Sequence, residues 1–112
     1  MNQLNSIIIE GTVEAGSRIL SKSGESTMLL FTVMSERTYR GMDGAIHTET
    51  TSVPIESHGA LADACYTRAV EGRVVRIVGR LKQEFMEVDG KKTSKLVLLA
   101  EYIEFKPLSK KN

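Results

Sequence analysis

Arg76, Arg80 and Lys82 share one parity in the stretch GRVVRIVGRLKQEF, residues 72–85, and Lys91, Lys92 and Lys95 follow beyond a turn. Cationic groups spaced by twos along an extended chain lie on one face of a strand, where they suit a polyanion. A second cluster stands at RTYR, residues 37–40, where Tyr39 lies between Arg37 and Arg40. An aromatic ring flanked by guanidiniums is a surface on which a nucleic-acid base can stack, although a tyrosine on the rim of a core would look the same. Phe85 offers another ring beside the basic stretch, on the parity of Val75, Ile77 and Leu81.

Other chemistries are poorly supplied. His47 and His58 fall on different segments, Cys65 has no second cysteine, and no pair of carboxylates has motif context. The glycines of residues 41–44 lack the Lys-Ser/Thr and the helix that a phosphate-binding loop needs. We therefore expect no catalytic residue, no metal site and no cofactor, and a binding protein rather than an enzyme.

The elements that must carry these residues follow from periodicity. Residues 4–14 alternate Ile7, Ile9 and Val13 with Ile8, Glu10, Thr12 and Glu14, the pattern of a half-buried strand with a bend at Gly11. Residues 15–20 are expected to carry this strand around a corner to the polar turn SKSGES at 21–26. A second strand, residues 27–36, presents Leu29, Phe31 and Val33 to a core and Met28, Leu30 and Met34 to the other side. Residues 37–45 read as a loop, and residues 46–56 as a third strand that Pro54 marks as an edge or an interruption. At residues 58–70 the period changes, putting Leu61, Ala62, Cys65 and Ala69 on one helical face.

In the fourth strand Val75, Ile77 and Leu81 point inward and the cations outward, with Gly79 placed for a bulge or sharp bend. Asp89-Gly90 signals a hairpin turn. The fifth strand, residues 92–106, is apolar on both parities, Val97, Leu99, Ile103 and Phe105 against Leu96, Leu98, Ala100 and Tyr102. One face is expected to line the core and the other to meet a partner subunit.

A chain of 112 residues with 41% apolar and 26% charged residues suits one domain, here residues 1–106 with a short basic tail at 107–112. Net charge is +1, but residues 1–72 hold five cations against nine anions, whereas residues 73–112 hold ten against five. With no apolar run of membrane-spanning length and no signal-peptide pattern, a cytoplasmic location is expected.

Five strands with one helix between the third and fourth describe an all-β Greek-key barrel of the OB-fold type, a common frame for oligonucleotide binding. The order of motifs resembles the bacterial single-stranded DNA-binding protein family. Asn5-Ser6 leading into Ile7 resembles its opening strand, and residues 31–40 its second strand and aromatic loop. HGALA at 58–62 stands at its helix start, while residues 72–83 and SKLVLLAEYIEFKP at 94–107 resemble its last two strands. A chain without Trp, with Val-Pro in the third strand, is similar also to primosomal replication protein B, a dimeric relative. Where the family stacks bases on Trp and Phe, this sequence holds Tyr39, Ser52, His58 and Met86 or Phe85. The family's acidic C-terminal tip, which recruits other replication proteins, has no counterpart in the closing PLSKKN.

The resemblance implies single-stranded DNA binding with little sequence preference, in replication, recombination or repair, by a nucleoid-associated homo-oligomer, a tetramer or in the alternative a dimer. Replication or repair proteins would be its further partners, and an OB module that binds protein alone is the competing reading. The expected DNA contacts are Arg37, Arg40, Arg80, Lys82, Lys91, Lys92 and Lys95 to phosphates, with Tyr39 and Phe85 stacking on bases.

Overall fold

The computed structural model of the protein describes residues 2–24 and 26–107. Along the chain run β1 (Ile7–Val13), β2 (Ile19–Ser23), β3 (Ser26–Arg40), β4 (Ile46–His58), α1 (Gly59–Cys65), β5 (Val74–Val88) and β6 (Lys91–Phe105). The strands make one sheet in the order β1-β5-β6-β4-β3-β2, closed because β1 also pairs with β3 at Thr12↔Met34 and Val13↔Val33. All pairings are antiparallel except β4 with β6, which is parallel at Ile55↔Leu98 and Glu56↔Leu99. Five staves therefore close the OB-fold barrel, β1, β3, β4, β5 and β6, with α1 between the third and fourth. The expected tail lies, apart from Pro107, outside the described residues.

The barrel interior follows the strand period. Leu29, Phe31 and Val33 from β3, Ile55 from β4, and Val75 and Ile77 from β5 are all buried, and Val13, Leu98, Ala100 and Ile103 complete the cluster. The helix adds Ala62 and Cys65, with Ala69 just beyond it, so the expected helical face is the buried one. Pro54 fits its place because its register partner Thr32 uses neither backbone group on it. The Thr32 carbonyl accepts the Glu14 N–H, and the Thr32 N–H donates to Ser17 Oγ.

Two glycines let the strands curl. A Cβ at Gly11 would stand 2.3 Å from the Met34 carbonyl oxygen, and one at Gly79 2.1 Å from that of Leu99. At Gly79 the ladder slips: Val78 pairs with Tyr102 but Gly79 with Ala100, which leaves Glu101 as the extra residue of a bulge on β6.

That bulge corrects the expected faces of the last strand. Leu98 and Ala100 point into the core before it and Ile103 after it, so Leu98 belongs to the interior and Leu99 to a half-buried position. Leu81 is likewise no core residue, since past Gly79 β5 leaves the barrel and Leu81 is exposed although its partner Leu98 is buried. Residues 15–20 do not continue β1. The chain turns at Gly16, where φ is 68°, and β2 returns as a hairpin partner of β3. The loop expected at residues 37–45 shrinks to 41–45, because β3 runs on through Arg40. The helix stops at Cys65 rather than Val70.

Candidate nucleic-acid interface

Two hairpin arms extend beyond the barrel and carry most of the predicted residues. The first joins the end of β3 to the start of β4 in the register Glu36↔Thr50, Arg37↔Glu49, Thr38↔Thr48, Tyr39↔His47 and Arg40↔Ile46. All ten residues are exposed, so no core holds them. What favours the extended chain is its β-branched content and cross-strand pairing, the Thr38 and Thr48 hydroxyls lying 3.4 Å apart. The turn is tied by Gly41 N–H to the Ala45 carbonyl at 2.8 Å and by the Arg40 guanidinium to the Gly44 carbonyl at 2.8 Å.

Tyr39 is 37% exposed, and its ring stacks on His47 with centroids 5.6 Å apart and planes 28° from parallel. The Arg37 guanidinium sits 5.6 Å from the same ring centroid. Stacked rings with the Arg37 guanidinium beside them form a flat surface with a cation at hand, which suits a base and its phosphate.

The second arm is the outer part of β5 and β6, turned by Asp89 and Gly90 with φ of 52° and 77°. Two successive positive φ values in a two-residue loop are those of a type I′ hairpin, as Asp-Gly predicts. Phe85 is 78% exposed and lines, with Met86, Glu87 and Lys92, a groove of about 360 Å³. Exposure removes the objection from its parity, since the arm has no interior at this point. Lys91 and Lys92 make no ion pair among the described residues.

The rest of the expected basic face is different. Arg80 pairs with Glu101 at 3.3 Å, and Arg76 with Glu10 at 3.0 Å. Lys82 is 3.0 Å from Glu56 and 3.6 Å from Glu84, which also lies 3.9 Å from Lys95. Sequence periodicity gave the face correctly, but acids from β1, β4 and β6 fold onto it and balance it.

Glu56 is the hub of that network, its side chain only 4% exposed on the outer side of the barrel. Burial pushes its carboxyl upward, but hydrogen bonds with Glu84, His58 and Lys82 outweigh this and hold it at about 2, against an ordinary 4.5. The hydrogen bond with Glu56 raises Glu84 in turn, and another to Glu56 raises Lys82.

The structure thus places Arg37, Tyr39 and Arg40 together on one arm and Phe85, Lys91 and Lys92 on the other. It holds Arg80, Lys82 and Lys95 in ion pairs nearer the barrel. Sequence reasoning missed His47 and Glu56. A hairpin register centred on GMDGA would have set His47 opposite Tyr39, whereas the burial of Glu56 had no local signal. No group of acidic, histidine or cysteine side chains suited to a metal ion occurs among the described residues.

Comparison with known proteins places this geometry among relatives. A family model described as "Single-strand binding protein family" matches residues 4–106. The chain is 30% identical over 100 residues to the single-stranded DNA-binding protein of Aquifex aeolicus (strain VF5), an alignment covering 89% of this chain and 68% of that protein. In structure it is similar to the Plasmodium falciparum SSB in complex with ssDNA, with a TM-score of 0.85 at 16% identity over 96% of this chain and 98% of that one. A deletion mutant of the single-stranded DNA-binding protein from Thermus aquaticus gives 0.81 at 20% identity, covering 93% of this chain and 51% of that one. The small single-stranded DNA-binding protein from Streptomyces coelicolor gives 0.73 at 19% identity, over 95% and 96%. At such identities these structures speak for the shared fold alone.

Proposed function

Because the chain belongs to the single-strand binding protein family, we propose that it binds single-stranded DNA with little sequence preference, as a homo-oligomer acting in DNA replication, recombination or repair. The observation that carries this reading is the pairing, on each arm, of an exposed aromatic with cations free of ion pairs among the described residues: Tyr39 with Arg37 and Arg40, Phe85 with Lys91 and Lys92. Stacking on a ring tolerates any base, and phosphate contacts are blind to sequence. The binding domain is residues 1–106, and its work is binding without chemistry, on nucleoid DNA in the cytoplasm. No helix among the described residues is long and apolar enough to cross a membrane.

Arg80, Lys82 and Lys95 belong to the same surface but must exchange a carboxylate for a phosphate, so their net contribution is small. Arg37, Arg40, Lys91 and Lys92 then supply the counterion release. Four contacts at about −0.7 each give a log–log salt slope of roughly −3, or a loss of about 50-fold between about 50 and 200 mM salt. Filter binding of a mixed-sequence oligonucleotide measures both quantities. Absence of binding at low salt would sink the reading, and a slope near zero would move the free energy from phosphates to stacking.

A further inference from the structure

We propose that His47 is itself a contact for the DNA strand, and that its protonation tightens the hold of the β3–β4 arm, with Asp43 as the positioning residue. The proposal rests on the single-strand binding reading above and adds a residue and a pH dependence to it.

The turn is shaped around this ring. His47 Nε2 lies 3.0 and 3.2 Å from the two carboxylate oxygens of Asp43, and Asp43 Oδ1 also accepts the Ala45 N–H at 3.0 Å. A Cβ at Gly41 would come within 2.6 Å of His47 Cδ2, 2.7 Å of Nε2 and 2.9 Å of Asp43 Oδ1. Gly41 has no left-handed φ to require glycine, so its missing side chain serves to let the imidazole cross the turn and lie on Tyr39. None of this supports a core. The His47 and Asp43 side chains are 43% and 61% exposed.

The protonation state decides what the ring offers. Asp43 can only accept, so Nε2 carries the hydrogen, and the Nδ1 of a neutral ring presents a lone pair. Nδ1 has no partner among the described residues. A neutral His47 would therefore repel a phosphate oxygen, whereas the protonated ring donates Nδ1–H to one. Hydrogen bonds from His47 and then from the Ala45 backbone lower the Asp43 carboxyl, which stays ionised beside it.

The other charges of the arm make the step matter. Besides His47 the arm carries Arg37, Arg40 and Glu36 on β3, Asp43 on the turn and Glu49 on β4, the last in register with Arg37. With His47 neutral these sum to −1, and with His47 protonated to zero. The stack on Tyr39 lays the ring along the arm.

The test is the affinity for a mixed-sequence oligonucleotide at about pH 5.5 and about pH 8, the range in which an imidazole titrates. At about 0.1 M salt one gained phosphate contact should tighten binding about fivefold at the lower pH and steepen the salt slope by about 0.7. His47→Phe keeps a ring on Tyr39 but cannot titrate, and it should bind with little difference between the two pH values. Equal affinity of the unaltered protein at both pH values overturns the proposal, as does a pH dependence that persists in His47→Phe. Failure to bind at either pH would bring down the parent reading and this one together, whereas binding that ignores pH removes only this one.

Discussion

Tyr39 and Glu56 show how differently single residues can be read. Tyr39 was visible as a candidate from its flanking arginines, and the structure gives it an exposed, stacked ring with no core to fill. A base on such a ring is worth roughly 1–3 kcal/mol, so Tyr39→Ala should weaken oligonucleotide binding by about that amount in a titration. Unchanged affinity would remove it from the site. Glu56 looked like any strand carboxylate, and only the fold brings His58 to 2.7 Å and Lys82 to 3.0 Å from its Oε2. Its folded value of about 2 lies below the ordinary 4.5. That stabilisation is complete above about pH 4.5 and is lost as pH falls through about 2, while the raised Glu84 works in the opposite sense and reduces the net effect. Glu56→Gln should cost about 2 kcal/mol in urea unfolding at neutral pH and flatten the acid limb of the stability profile. A variant as stable as the parent, with the same acid limb, would show that the network is neutral on balance. Contacts between residues 26 apart cannot be seen in a local pattern, which is why Tyr39 was legible and Glu56 was not.

Elements whose neighbours share the strand period were read well, and the failures fall where that period breaks. Leu29, Phe31, Val33, Val75 and Ile77 are interior as expected, and the Asp89-Gly90 turn is where its chemistry puts it. Gly79 is where the sequence predicts a bulge or bend, yet the extra residue opposite it, Glu101 on β6, has no sequence signal, so the parity of β6 changes there and Leu98 and Ala100 share the interior with Ile103. The arms were misread for a related reason: sequence shows alternation but not where the barrel stops, so Leu81 seemed interior and residues 37–40 seemed loop. Asn5 marks the barrel's boundary on the other side. Its side chain donates to the Leu81 carbonyl at 2.8 Å and accepts the Leu81 N–H at 3.0 Å, taking the place of a paired strand residue. Because a Cβ at position 79 would meet the Leu99 backbone at 2.1 Å, Gly79→Ala has to push β5 and β6 apart at the bulge. Overpacking of that kind costs roughly 1–3 kcal/mol or more, to be read from the shift in denaturation midpoint. A midpoint equal to that of the parent would mean that the bulge yields freely and does not fix the exit angle of the second arm.

At the scale of the molecule, the closed barrel leaves part of β1 unpaired. β1 has β5 along its side from Ile7 to Thr12, but it meets β3 only at Thr12 and Val13, so from Ile7 to Gly11 its other edge has no strand partner among the described residues. An open edge of unpaired N–H and C=O groups invites another strand, and proteins that do not use one usually blunt it with charge or proline. Here Glu10, paired with Arg76, charges one part of the neighbouring outer surface, but the row beside it is apolar. Ile8 is 68% exposed, stands in register with Val78, and Val78 in turn with Tyr102, itself 54% exposed, which gives a continuous row across three strands. The half-buried Met28, Leu30 and Met34 extend the apolar outer side on β3, whereas Leu98 of β6 lies in the core. Edge and row together point to a second copy of this chain, and the expected sedimentation mass at micromolar concentration is a multiple of 12.4 kDa. Ile8→Lys puts a charge in the middle of the row without disturbing the interior, and it should lower that mass to the monomer's. If the parent already sediments at 12.4 kDa, the homo-oligomer is wrong. If Ile8→Lys stays assembled, the copies meet elsewhere, and the partly covered β3 face becomes the surface to test.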